Sequence, residues 1–226
     1  MGNHKYYGVV NEIIERPDPK LIDGFRRHDV AKVGDAMGGY GIMNYELKPI
    51  LLGMKLLGTA VTVITRPGDA LFIQKVADIA GEGDVVVVDA GGFKDSAIIG
   101  ERIGTYMKEI RKIAGIVVDG AVRDSMGLIE IGFPTFARAI TPRIYGTQGP
   151  GAINVPISCG GVTVNPGDLI MADNDGIVVV PKDDIERVLK LTDQHLEGEL
   201  ERAARVNSGE KISVVNHCDE KIARWR

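Results

Sequence analysis

Residues 84–124 read DVVVVDAGGFKDSAIIGERIGTYMKEIRKIAGIVVDGAVRD. The unbroken apolar run at 84–89 suits a strand buried on both faces, not one with a single wet side. Residues 90–96 read as a loop. Ile99, Ile103, Tyr106 and Ile110 then recur at helical spacing, which predicts a helix over 98–112. GIVVD at 115–119 is a second buried strand. Strand, helix, strand implies a parallel pair joined by a right-handed crossover, and so an α/β sheet.

Working outward, KLLGTAVTVIT at 55–65 is a strand on its β-branched content. The turn Arg66-Pro67-Gly68-Asp69 leads into a helix over 70–80. A short helix over 124–131 and a strand over 135–139 follow the quoted stretch. Before it, residues 18–28 read as a short amphipathic helix that Asp18 can cap, and the glycine-rich 33–41 as a tight turn. Beyond residue 146 the texture changes. Gly149-Pro150-Gly151, Gly160-Gly161 and Asn165-Pro166-Gly167-Asp168 punctuate short β-segments. Segments 169–172 and 177–181 flank Asp173-Asn174-Asp175-Gly176, a hairpin turn. This antiparallel region closes the same domain. Residues 182–208 form one long helix, on the order of 40 Å, more than this domain needs for its own cover. Part of it is expected to lie on a neighbouring subunit. The last residues, with Trp225, carry no readable pattern. The organisation is an N-terminal helical extension at 1–29, an α/β domain at 30–181, and a C-terminal helix and tail at 182–226.

The chain has 226 residues, 44% of them apolar, enough for a full core, and a net charge of −4 that gives no broad basic footprint for nucleic acid. Two cysteines, Cys159 and Cys218, lie far apart without a CxxC pattern, and no secretory leader is visible. A reduced, cytoplasmic setting is therefore expected. No apolar run reaches the ~20 residues that a membrane helix needs. The MGNHKYYG start carries no targeting pattern. His4, His28, His195 and His217 are scattered without paired spacing, so a zinc site is not indicated. No nucleophile elbow and no GxGxxG loop occurs, and 173–175 lacks the spacing of a calcium loop.

Chemistry concentrates at 100–124. Glu101 opens a predicted helix, where the dipole favours a carboxylate and free N–H groups at 100–103 can hold a second anion. Plain charge complementarity would also account for it. Arg123-Asp124 follows a buried strand, and open α/β sheets gather ligands at the carboxyl ends of their strands. The arginine can grip a carboxylate and the aspartate can ligate a hard cation; equally, the two can be a surface pair plus a helix cap. Asp119 reads either as support for such a site or as a turn acid, and Asp89 is equally ambiguous.

From DVVVVDAGG through GERIG to GIVVDGAVRD, and again at GDLIMADNDGIVVVP (167–181), the chain resembles the RraA-like family. The likeness spans most of 30–210. That family includes class II pyruvate aldolases acting on 4-hydroxy-4-methyl-2-oxoglutarate and 4-carboxy-4-hydroxy-2-oxoadipate, and regulators that inhibit an RNA-degrading endonuclease. The resemblance implies a β/β/α swivelling-domain-like α/β fold, as a homotrimer or homohexamer with active sites between subunits. It implies a divalent-metal-dependent lyase that cleaves a 4-hydroxy-2-oxo dicarboxylic or tricarboxylic acid to pyruvate, with oxaloacetate decarboxylation as a second activity. Asp124 would ligate Mg²⁺ or Mn²⁺. Glu101 and a neighbour's Glu199, with Glu197 as its fallback, would hold metal-bound waters. Arg123 would bind the substrate carboxylate and keto oxygen, and backbone amides at Gly100, Arg102 and Ile103 would complete the cradle. The family spacing is an acid, twenty residues, then Arg-Asp; here the spacer is one residue longer and the acid is Glu. The extra residue is expected around 112–114. The alternative is a non-catalytic regulator with a ribonuclease partner. A methyltransferase, a label the family has carried, would need a glycine-rich cofactor loop that is absent.

Overall fold

The computed structural model describes residues 5–225; the Met1–His4 start that was read for targeting, and Arg226, lie outside them. In chain order the helices are α1 (Pro19–Gly24), α2 (Val30–Ala36), α3 (Leu71–Ile79), α4 (Glu101–Thr105), α5 (Ser125–Glu130), α6 (Ile185–Asn207), α7 (Ile212–Val215) and α8 (Cys218–Ala223). The strands are β1 (Lys48–Pro49), β2 (Leu56–Thr65), β3 (Asp84–Ala97), β4 (Gly115–Val122), β5 (Thr135–Ile140), β6 (Gly151–Ile153), β7 (Ile157–Cys159), β8 (Val162–Val164), β9 (Leu169–Ala172) and β10 (Ile177–Val180).

One mixed sheet runs in the order β1-β5-β4-β3-β2-β9-β10, with β6 also paired to β2. Strands β2, β3, β4 and β5 are parallel, as the crossover argument requires, and β1, β6, β9 and β10 join antiparallel. Valines 85–88 are all fully buried and alternate between two cores. Val86 and Val88 pack with Ile73 and Val76 of α3, Ile103, Met107 and Leu128. Val85 and Val87 pack with Met43, Leu47, Val117, Phe136 and Cys159. Each such valine contributes roughly 1.5–3 kcal/mol relative to exposure, and burial on both sides explains the unbroken apolar run. A third cluster seats Phe25, Val30 and Val33 against Leu169, Val178 and Val180 and the first turns of α6.

Asp18 caps α1 as expected, its carboxylate accepting from the Lys20 amide at 2.9 Å. Three segments differ from the sequence reading. Strand β3 does not stop at Asp89; it runs on to Ala97 through two register shifts, because Gly91 and Gly92, at φ 66° and 70°, let the chain bulge without leaving β4. The glycine-rich turn expected over 33–41 is confined to 37–41, and helix α2 takes its first part, because Val30 and Val33 have a core to pack on. The tail forms α7 and α8. The long C-terminal helix is present as α6, with only Ile185, Val188 and Thr192 buried. Among the described residues no helix is long and apolar enough to cross a membrane.

Candidate active site

Strand β4 continues past Asp119 to Val122 and delivers Arg123 and Asp124 beside the start of α4. The preceding segment is locked to it: the Ile98 amide donates to the Ala121 carbonyl at 3.0 Å, and the Arg123 amide to the Ile99 carbonyl at 2.9 Å. Gly100 then caps α4, and Asp124 caps α5.

The two acids interlock across these caps. A Cβ on Gly100 would collide with the Asp124 carboxylate, and a Cβ on Gly127 in α5 would collide with the carboxylate of Glu101 in α4. Each carboxylate therefore lies against a glycine on the other's element. Asp124 sits at φ 50°, ψ 42°, a left-handed backbone in which its side chain makes no cap bond. Its Oδ1 instead accepts from Arg123 Nε at 3.1 Å, with the two side chains 31% and 40% exposed. The pair is present, but the capping bond of the bland reading is not.

Gly100, Arg102, Ile103, Arg123, Asp124, Ile144 and Tyr145 line one hollow of about 300 Å³. The first-turn amides of α4 have no intrahelical acceptor and stand at its edge. Ile144 and Tyr145 come from a loop after β5 that the sequence reading passed over. Ser96 Oγ donates to the Ile144 carbonyl at 2.8 Å. The buried Asp69 carboxylate accepts from the amides of Gln148 (2.7 Å) and Gly149 (3.0 Å). Asp69, the last residue of the Arg66-Pro67-Gly68-Asp69 turn, thus holds the loop that carries Ile144 and Tyr145. Its only sequence signal was the turn RPGD.

The helix after Glu101 changes pitch: over Tyr106–Ile110 it is a π-helix, closed by the Arg111 amide on the Tyr106 carbonyl at 3.2 Å, and Lys112 then takes φ 57°. A π turn encloses one more residue than an α turn, so a helical irregularity stands ahead of the one at Lys112, which lies inside the expected 112–114.

Asp119 lies apart from this. It shares its strand face with Val117, in the opposite core, where its carboxylate accepts from Arg138 Nε and from the Gly160 amide at 2.7 Å. It is neither a turn acid nor a neighbour of Asp124. The Asp119 hydrogen bond raises the Arg138 pKa, and Lys94 followed by Arg138 lowers that of Glu46. Burial, then the charges of Asp119 and Asp89, pushes the Cys159 thiol well above its usual range. Lys94, bonded to Glu46 at 2.9 Å, belongs to the same network. Glu199 and Glu197 lie on α6 and are not among the residues lining the hollow within one chain. No three Asp, Glu, His or Cys side chains converge among the described residues in a way that could hold a metal ion.

Residues 30–179 match the RraA-like family, described as Aldolase/RraA. The chain belongs to this family. A Halalkalibacterium halodurans protein, provisionally named 4-hydroxy-4-methyl-2-oxoglutarate aldolase, is 41% identical over 170 residues, covering 75% of this RraA-like chain and 80% of that one. The 4-hydroxy-4-methyl-2-oxoglutarate aldolase of Thermus thermophilus is 37% identical over 114 residues, 50% of this chain and 69% of its own. Among solved structures, Streptomyces coelicolor RraAS2, described as an unusual member of the RNase ES inhibitor RraA protein family, superposes with a TM-score of 0.76 at 31% identity. That match covers 84% of this chain and all (100%) of RraAS2. The RraA-like α/β fold and the family expected from the motifs are both found.

Proposed function

We propose that this RraA-like chain is a class II, divalent-metal-dependent aldolase that cleaves a 4-hydroxy-2-oxo acid to pyruvate and also decarboxylates oxaloacetate. The observation that carries the reading is the hollow that Asp124, Arg123 and the α4 residues Arg102 and Ile103 share, with the Glu101 carboxylate held next to it against Gly127. The aldolase names of two relatives support it.

The donor set suits Mg²⁺ or Mn²⁺: two water-accessible carboxylates are hard oxygen ligands, and Mg²⁺ is commonly held by one or two carboxylates while keeping several waters. Asp124 would hold the ion directly and Glu101 through water. When bound, the ion supplies Lewis-acid polarisation of the substrate's keto oxygen. Arg123 grips the adjacent carboxylate and keto oxygen, and the amides of Arg102 and Ile103 fix the remaining carboxylate oxygen. A water held by Glu101 takes the proton of the 4-hydroxyl. The 4-oxygen then becomes the carbonyl of the departing fragment as the bond between C3 and C4 breaks, the C3–C4 electron pair passes into a pyruvate enolate, and Arg123 stabilises the charge that develops on the enolate oxygen. Proton return to C3 gives pyruvate. Oxaloacetate loses carbon dioxide through the same enolate. The reading includes a cytoplasmic homotrimer or homohexamer in which Glu199 of a second copy, or Glu197, reaches this hollow. Ile144 in its wall is 70% exposed, and Met126, two residues past Asp124, is 65% exposed. Such apolar surface suits a covering subunit.

Arg123→Ala and Asp124→Ala should each lower kcat for oxaloacetate by about 10² or more, with unchanged circular dichroism. Pyruvate release is followed through a coupled reductase, with Mg²⁺ or Mn²⁺ and then with EDTA. Near-normal turnover in either variant would remove the mechanism. The likeness to RraAS2 over its full length favours a second reading, a regulator that binds a ribonuclease. Wild-type protein that released no pyruvate from any 2-oxo acid, with or without metal, would favour that reading.

A further inference from the structure

The hollow holds one cation that the reaction above does not use. Arg102 is the second residue of α4, and side chains on a helix lean toward its N-terminus, which places this guanidinium over the hollow it lines. Arg102 is exposed, and its side chain has no ion pair or hydrogen bond among the described residues. Arg123, by contrast, already donates Nε to Asp124. The lining thus carries two guanidiniums against a single carboxylate, Asp124. A ligand whose only charge is the carboxylate next to its keto group would satisfy Arg123 and the helix amides and leave Arg102 unmatched. Ile144 and Tyr145 line the same hollow and suit an uncharged carbon stretch.

We propose that the Arg102 guanidinium is the specificity-determining group for the distal carboxylate of the diacid substrates that the family resemblance implies, the residue through which this chain prefers them to 2-oxo monoacids. This deepens the reading of the hollow as a 2-oxo-acid site and rests on it. The backbone amide of Arg102 serves the near carboxylate; the side chain serves the far one. A planar guanidinium suits that task because it offers paired N–H donors to both oxygens of a carboxylate, which a lysine ammonium does not.

The test is calorimetric binding of two ligands that lack the 4-hydroxyl, 2-oxoglutarate and 2-oxobutyrate, to the full chain in saturating Mg²⁺. Wild type should bind the diacid at least about tenfold more tightly, the scale of one charge-assisted contact. Arg102→Gln should narrow the ratio to within about threefold by weakening the diacid, and Arg102→Lys should keep part of the preference. Equal wild-type affinities, or a parallel loss of both ligands in Arg102→Gln, would overturn the assignment. If the wild type cleaves an aldol substrate yet shows no diacid preference, Arg102 alone is misassigned. If it neither binds these ligands nor releases pyruvate, the 2-oxo-acid reading falls with it.

Discussion

Gly100 and Gly127 make room for two carboxylates on neighbouring elements. Gly100 lets the Asp124 carboxylate lie against the start of α4, and Gly127 does the same for Glu101 against α5. Gly100→Ala should therefore displace Asp124 while leaving the cores untouched. The expected result is about tenfold weaker Mn²⁺ binding, the size of effect seen when the surroundings of a metal ligand are disturbed, with circular dichroism unchanged. Free Mn²⁺ measured by electron paramagnetic resonance checks this, and wild-type affinity in Gly100→Ala would dissociate the interlock from the metal. Glu101, Arg123 and Asp124 were readable in the sequence because an acid at a helix start and an Arg-Asp after a buried strand are local patterns. Their glycine partners were not, since no local pattern links Gly100 to Asp124 or Gly127 to Glu101. Asp119 was misleading for a related reason. Side chains alternate along β4, so its strand position sends it to the opposite core, toward Arg138 and Gly160.

Elements with one dominant signal were legible, and those set by tertiary context were not. The parallel strands β2, β3, β4 and β5 follow from apolar runs, and α6 from its length. The extension of β3 beyond Asp89 escaped because Gly91 and Gly92 read locally as loop, although β4 supplies the pairing. Helix α2 escaped because Gly34 and the glycines that follow the helix outweighed two valines whose value lies in the core they reach. Strand β7 carries a testable consequence. Cys159 is fully buried, with its thiol pushed up by burial, whereas Cys218 at the start of α8 is partly exposed. Native protein at pH 8 should thus release the chromophore of a disulfide reagent for one thiol, Cys218, and for the second only in denaturant. Rapid labelling of both without denaturant would contradict the packing of β7 under the sheet.

At the scale of the molecule, ion pairs tie the N-terminal segment to β3 and to α6. Arg16 donates to both oxygens of the buried Asp84 carboxylate, at 2.9 and 2.8 Å. Arg27 and His28 both reach Asp193 on α6, at 2.7 and 2.8 Å. Arg27 first, then His28, lowers the Asp193 pKa. A carboxylate depressed in the folded state adds stability above its unfolded pKa, about 3.9, and loses it as pH falls through the folded value. The clasp should therefore hold at neutral pH and open only once acidification passes below the ordinary aspartate range. Asp193→Asn should lower the urea midpoint at pH 7 and converge with wild type as the pH falls through that acidic range. Parallel midpoints across that range would mean the clasp contributes nothing. The left-handed corner at Asp124 reaches further than any one assay. Besides glycine, asparagine and aspartate are the residues that most readily tolerate that backbone, so genetic drift there is confined to a narrow alphabet. A descendant without the proposed catalysis could exchange Asp124 for asparagine or glycine and keep its bend, becoming a silent scaffold of unchanged shape.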